Sequence, residues 1–235
     1  MKQTFRRREQ KYLLNAGEFE LIKQALAGKL EVDEYGKTTI QSLYYDTPSF
    51  QLIRASNEKP VYKEKLRLRA YGLIGEDDIA FLEIKKKFKS VVYKRRIPLP
   101  ERAAIDFFDS GTPLPPSQIA NEITYLNDFY GKLKPRMLML YDRTAYFSTD
   151  GSDLRITFDE NARFRSSDLN LHTSLDGTPL TKNGQVIMEI KSSYGIPLWL
   201  CKVLSDNEIY KTSFSKYGTA YNMVTARLLQ EETLS

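Results

Sequence analysis

A chain of 235 residues is long enough to bury one sizeable core. Its 35 Lys and Arg against 30 Asp and Glu leave a formal net charge of only +5, which excludes a strongly basic nucleic-acid tail and makes the placement of the charges matter more than their sum. The one cysteine, Cys201, excludes an internal disulfide framework and any multi-cysteine metal site, and its apolar helical surroundings predict a buried, inert thiol. No apolar signal-peptide core follows the basic N-terminus, and the greasiest stretch, IPLWLCKVL, is too short to span a bilayer, so a soluble, cytoplasmic protein without direct membrane insertion is expected.

In chain order, residues 3 to 14 read as a strand leading into a helix over about 16 to 29, where Phe19, Ile22 and Leu26 recur at helical spacing. The segment TTIQSLYYDT reads as a second strand, closed by Asp46-Thr47-Pro48, which turns the chain into a short helix. Strands follow near 61 to 71, 79 to 88 and 91 to 98, antiparallel because their connections are too short for a crossover. Residues 101 to 131 read as mainly helical around the turn-rich SGTPLPPS. Strands resume near 136 to 148 and 153 to 164 across the hairpin signal Thr149-Asp150-Gly151-Ser152. A polar loop over about 166 to 184, the strand QVIMEIKS and two helices near 196 to 208 and 213 to 229 complete the chain. With 15 Tyr and 12 Phe to fill a β-rich core, no fixed-period repeat and no linker, a single α+β domain spanning residues 1–235 is expected.

Several strands alternate charge with apolar residues. Lys63, Lys65, Arg67 and Arg69 occupy every second position, with Leu66 and Leu68 between them; Glu83 and Lys85 oppose Ala80, Leu82 and Ile84; Glu189 and Lys191 oppose Met188 and Ile190; Glu9 and Lys11 form a third Glu-x-Lys pair, with Arg7 ahead of it. Arg155, Thr157 and Asp159 repeat the arrangement, and Arg143 shares a face with Tyr141, Ala145 and Phe147, so it needs a partner or a ligand. Taken singly, such pairs are ordinary solvated ion pairs or the charged edge of a sheet. Together they suit a wet, charged barrel interior that holds a polyanion and its metal ion, and Arg fits phosphate through its two-pronged donor set.

The chain has no GxxxxGK[ST], GxGxxG or GxSxG motif and no paired His or Cys cluster, and its single His172, in the polar loop, is expected to be solvated. Carboxylates, a metal and many cations remain, a set sufficient for phosphoryl transfer, in which the protein chiefly positions groups and neutralises charge.

Glu9-x-Lys11-Tyr12, Lys65-Leu66-Arg67-Leu68-Arg69-x-Tyr71-Gly72, Glu83-x-Lys85, Tyr141-x-Arg143-x-Ala145-Tyr146, Leu154-Arg155-Ile156-Thr157-x-Asp159, Met188-Glu189-Ile190-Lys191 and Phe214-Ser215-Lys216-Tyr217 occur in this order over nearly the whole chain. The set resembles the VTC domain, the polyphosphate polymerase domain of vacuolar transporter chaperone complexes, within the triphosphate tunnel metalloenzymes, or CYTH-like proteins. The resemblance implies an antiparallel β-barrel forming an open tunnel flanked by helices, which binds ATP and polyphosphate with Mn²⁺ or Mg²⁺. Carried over by motif, Lys11, Arg67, Arg69, Lys85 and Glu189 would form the catalytic set, and Arg143, Arg155, Lys191, Ser215 and Lys216 would bind substrate. Glu189 would be the leading metal ligand. Glu9 and Glu83 would be further ligands or partners that orient the basic side chains, and one of Lys94, Arg95 and Arg96 would add a phosphate contact.

The function so implied is transfer of the γ-phosphoryl of ATP to a growing polyphosphate chain. A tunnel triphosphatase with Glu9, Glu83 or Glu189 as base is the rival enzyme, and a non-catalytic receptor for polyphosphate, nucleotide or nucleic acid is the third reading. Leucines and isoleucines, not stacking aromatics, interleave the cations, which argues against nucleic acid. With neither an SPX-type helical region nor a membrane domain in the sequence, a cytosolic domain or one joining a separately encoded membrane partner is expected.

Overall fold

The computed structural model describes residues 8–58, 60–89, 91–182 and 184–234, without the side chains of 232–234. The expected strand over residues 3–7, Arg7 within it, and Ser90 of the expected turn lie outside the described residues. The elements run β1 (Arg8–Leu14), α1 (Ala16–Leu26), β2 (Leu30–Asp46), α2 (Gln51–Asn57), β3 (Tyr62–Tyr71), β4 (Ile79–Phe88), β5 (Val91–Pro100), α3 (Glu101–Ser110), α4 (Gln118–Phe129), β6 (Lys134–Ser148), β7 (Arg155–Arg165), β8 (Thr178–Pro179), β9 (Val186–Ser192), α5 (Leu198–Asp206) and α6 (Lys216–Leu234). The fold is therefore α+β: a nine-stranded sheet ordered β1-β9-β7-β6-β2-β3-β4-β5, with β8 on β7, flanked by six helices. Every ladder whose register is described is antiparallel.

The expected barrel does not close by hydrogen bonds among the described residues, since the order ends at β1 on one side and β5 on the other. Each end has a physical reason to stop. The Lys11 carbonyl of β1 accepts from the Thr212 N–H at 2.7 Å in an isolated bridge. The edge strand β5 carries Lys94, Arg95 and Arg96 in succession, then Pro98 and Pro100, which have no N–H to offer a further strand.

Two compact units emerge, and β2 and β6 each pass from one to the other. The first comprises Met1–Thr39, Tyr141–Ala162 and Pro179–Ser215. Its core joins Tyr12 and Leu14 of β1, Ile156 and Phe158 of β7, and Met188 and Ile190 of β9 to Ile22 and Leu26 of α1 and Leu200 and Leu204 of α5. Helix α1 starts where Asn15 and Glu18 form a capping box: the Asn15 side chain accepts from the Glu18 N–H at 2.9 Å, and the Glu18 carboxylate accepts from the Asn15 N–H at 2.7 Å. Cys201 corrects the expectation of a buried thiol. It is exposed, because the inward stripe of α5 falls on Leu200 and Leu204 and the next residue points away.

The second unit comprises Ile40–Leu140, Arg163–Thr178 and Lys216–Ser235. Its core packs Leu43, Leu66, Leu68, Leu82, Ile84, Ile97 and Leu99 of the sheet against Phe107 and Phe108 of α3 and Ile123 and Leu126 of α4. The expected turn at Asp46 is built by its carboxylate, which is fully buried and accepts from the N–H groups of Thr47, Leu52 and Ile53 at 2.8 to 3.0 Å, capping α2. His172, expected to be solvated, sits instead with Nδ1 2.8 Å from Oε2 of the fully buried Glu101. The other Glu101 oxygen accepts from the Leu171 N–H at 2.7 Å. A carboxylate in the core draws the loop onto itself because it needs donors there. Among the described residues no helix is long and apolar enough to cross a membrane.

Candidate functional site

Strand alternation and register together decide which charges meet. In the second unit Lys63 stands opposite Lys87, Lys65 opposite Lys85 and Arg67 opposite Glu83; across the next ladder Lys85 faces Lys94 and Glu83 faces Arg96. One face of β3, β4 and β5 thus displays eight cations, four from β3 and two each from β4 and β5, against one carboxylate, Glu83. The opposite face carries Leu66, Leu68, Leu82, Ile84 and Ile97 into the core. The reading of the Lys63–Arg69 row as a solvated sheet edge is overturned, because β3 lies between β2 and β4.

Glu83 organises this face. It is 1 % exposed and accepts from Arg67 Nε at 2.8 Å and Nη2 at 2.7 Å, with Lys94 Nζ at 3.1 Å and Arg69 Nε at 3.8 Å. Burial alone would raise its carboxyl, but Arg67, Arg69 and Lys94 outweigh it and hold the group down to about 2. Lys94 is brought down to about 8, chiefly by burial and also by Arg69 and Arg67, against the pull of Glu83. Both directions have one origin, an excess of cations around a single buried anion. Of the three basic residues left undecided by sequence, Lys94 and Arg96 share this face, whereas Arg95 turns to the other side and pairs with Glu122.

Two tyrosines complete the group. Tyr44 of β2 lies opposite Arg67, accepts from Arg67 Nη1 at 3.1 Å, and stacks on Tyr217 of α6 at 4.5 Å between ring centroids. The Tyr217 hydroxyl donates to Asp46 at 2.9 Å. Burial pushes the Tyr44 phenol up, yet Arg67, Lys65 and Arg69 together bring it to about 7. Lys65 reaches the Tyr217 ring at 5.9 Å. Lys216, the first residue of α6, precedes that tyrosine. Sequence reasoning missed Tyr44 and Tyr217 as site residues, and the available signal was the position of Tyr44 two residues before the capping Asp46.

In the first unit the balance of charge differs. Lys11 of β1 stands opposite Glu189 of β9, and Glu9 opposite Lys191. Lys11 Nζ lies 3.1 Å from Glu189 Oε1, 3.6 Å from Glu9 Oε1 and 3.3 Å from the Phe214 carbonyl, just before Ser215. Lys191 Nζ takes the second Glu189 oxygen at 2.9 Å. Arg143 forms a bidentate pair with the fully buried Asp159, at 2.6 Å from Nε and 2.8 Å from Nη2. Burial works against its charge, but Tyr141 and Asp159 raise its pKa well above the ordinary value. Of the two readings open for Arg143, the buried ion pair accounts for its charge without a ligand. Arg155 stands opposite Lys191, and its exposed side chain reaches Asp33 at 3.3 Å.

Among the described residues no three His, Cys, Asp or Glu side chains gather as a metal cluster. Glu189 and Glu9, brought together by their shared contact with Lys11, still fit a divalent ion of the Mg²⁺ kind, which takes one or two carboxylates and completes its shell with phosphate oxygens and water. Glu83 is surrounded by three cations and both Glu189 oxygens meet lysines, so at either carboxylate a divalent ion competes with cationic side chains. Glu83 holds Arg67 through Nε and Nη2.

The model of the VTC domain matches residues 6–225. The chain belongs to the VTC domain family. Two solved structures of low identity share its fold. A candidate adenylate cyclase from Bacillus halodurans superposes with a TM-score of 0.54 at 18% identity, over 88% of this chain and 92% of that one. A candidate adenylyl cyclase from Hippeastrum, described as revealing a dominant triphosphatase activity, superposes with a TM-score of 0.54 at 17% identity, over 89% of this chain and 92% of that one. No curated protein matches the sequence.

Proposed function

We propose that this VTC domain is an ATP-dependent polyphosphate polymerase. The observation that carries the reading is the face of eight cations organised by one buried carboxylate, a concentration of positive charge that suits a polyanion. Arg67, Arg69, Lys85 and Lys94 hold phosphoryl oxygens, with Arg67 oriented by Glu83 and Tyr44. Lys11, Lys191, Arg155, Ser215 and Lys216 are the further phosphate contacts in this assignment, while Arg143 stays with Asp159. Glu189, with Glu9, would hold Mn²⁺ or Mg²⁺, which when bound neutralises charge on the phosphates.

A terminal oxygen of the polyphosphate chain attacks the γ-phosphorus of ATP. The new P–O–P link forms as the bond to the β-phosphate oxygen breaks, and ADP leaves with that electron pair. The attacking oxygen is already anionic, so no base is required, in keeping with a site that has no histidine. The cations offset the repulsion between two anions and then the charge on the moving phosphoryl. In this reading the domain works on cytoplasmic ATP.

The test is product analysis of purified protein with ATP and Mn²⁺. Polyphosphate and ADP in matching amounts are expected. Free phosphate without polymer would instead give the activity described for the Hippeastrum protein, and cyclic AMP with pyrophosphate that of a cyclase. Binding without turnover would leave a receptor.

A further inference from the structure

We propose that the side of β3, β4 and β5 turned away from the cation face carries a further binding site, for a small planar aromatic acid with one negative charge. It goes beyond the polyphosphate reading and does not depend on it. A cavity of about 360 Å³ opens there, within the size range of small-ligand sites. Strand alternation builds it. Ile84, Lys86 and Phe88 project from β4 on the side opposite Glu83, Lys85 and Lys87, and register places Tyr62 of β3 opposite Phe88, Tyr93 of β5 opposite Lys86, and Arg95 opposite Ile84. Ile84 is 1 % exposed and belongs to the core packed under α3 and α4, whereas Tyr62, Phe88 and Tyr93 are each about half exposed.

The lining combines two chemistries. Tyr62, Phe88 and Tyr93 present three rings, and a ligand ring gains by stacking on them or meeting their edges, beyond the area it buries. Tyr62 is held in place: its hydroxyl donates to Glu64 at 2.6 Å, and the buried Glu64 accepts from the Tyr130 hydroxyl at 2.9 Å through its other oxygen. A wall set before the ligand arrives lowers the ordering cost of binding. The second chemistry is charge. The charged side chains that line the cavity are Lys86, Arg95 and Glu122 of α4; both cations meet Glu122, Lys86 at 3.8 Å, and the three sum to one positive charge. Glu122 accepts from Arg95 through Nη1, and a guanidinium is a five-donor fork that suits a carboxylate. A single carboxylate balances that surplus. A phosphate monoester, closer to two charges, exceeds it.

The test measures binding of naphthoate to the full chain by titration calorimetry at about 0.15 M ionic strength, where general attraction to a basic protein is screened. Naphthamide lacks only the charge, and the saturated decahydronaphthoate lacks only the aromatic face. The expected result is a Kd below about 1 mM for naphthoate, weakened about tenfold in either analogue. Tyr93→Ala should weaken naphthoate about tenfold. Arg95→Gln should do the same while leaving naphthamide within about twofold. Both side chains are exposed, so neither variant disturbs the core.

Equal affinity for acid and amide, or an unchanged naphthoate Kd in Arg95→Gln or Tyr93→Ala, would overturn the site. Displacement of naphthoate by inorganic triphosphate would also overturn it, because the acid would then be bound on the cation face. So would tighter binding of adenosine monophosphate with the same dependence on Arg95 and Tyr93, which would make this a nucleotide site.

Discussion

Replacing Glu83 by Gln separates stability from ligand affinity on the cation face. The carboxylate is 1 % exposed and lies within 2.7 to 3.8 Å of Arg67, Lys94 and Arg69. A carboxyl held near 2 instead of its ordinary 4.5 represents about 3 kcal/mol of native-state preference for the charged form. Removing one partner of a buried ion pair costs about 3 to 5 kcal/mol, which agrees. For a chain of this size, about 2 to 4 °C per kcal/mol puts the fall in Tm of Glu83→Gln at about 6 to 12 °C at pH 7. Because the folded pKa lies below the unfolded one, this contribution is complete above about 4.5 and is lost as pH falls toward 2. The gap between wild type and variant, followed by circular dichroism melts, therefore narrows progressively below pH 4.5. With the only carboxylate of the three-strand face gone, triphosphate should also bind the folded variant more tightly. A Tm within about 2 °C of wild type, or a gap that stays constant down to pH 3, would refute Glu83 as the counterion of these cations.

Arg143→Ala leaves the charge of Asp159 buried without its bidentate partner and should cost about 3 to 5 kcal/mol in urea unfolding, whereas an apolar pair of similar volume at both positions should recover most of the loss. Tyr44 should titrate near neutrality in the ultraviolet tyrosinate band, and Tyr44→Phe should remove that step. Its folded pKa of about 7 lies below the ordinary 10, so its stabilising contribution is complete above pH 10 and falls away as pH drops through 7. Asn15→Ala removes the acceptor half of the α1 capping box and should cost about 1 kcal/mol, measured as a lower urea midpoint at unchanged m-value.

Much of the fold was legible because strand alternation and turn chemistry are local. The three central strands, the helical pair around SGTPLPPS, the hairpin at Thr149–Ser152 and the helix start at Asp46 all arise from residues adjacent in the chain. Exceptions occur where a distant partner decides: Glu101 in the core captures His172, 71 residues on, and the helical stripe of α5 turns Cys201 outward. Closure of the sheet was likewise beyond local reading, since it depends on what the edges of β1 and β5 meet.

By itself the amino-acid order determined that cations and carboxylates would occupy alternate positions on strands whose other face is apolar, because the two-residue period of a strand is a property of the backbone. It determined the family as well, through motifs spread over nearly the whole chain. Only the tertiary structure decided which charges neutralise one another. Lys11 meets Glu189, Arg143 meets Asp159 and Arg67 meets Glu83 through register and packing. A shift of one residue in any ladder would send those side chains to the opposite face, and the burial of one apolar face, a cooperative property of the folded sheet, holds the register in place.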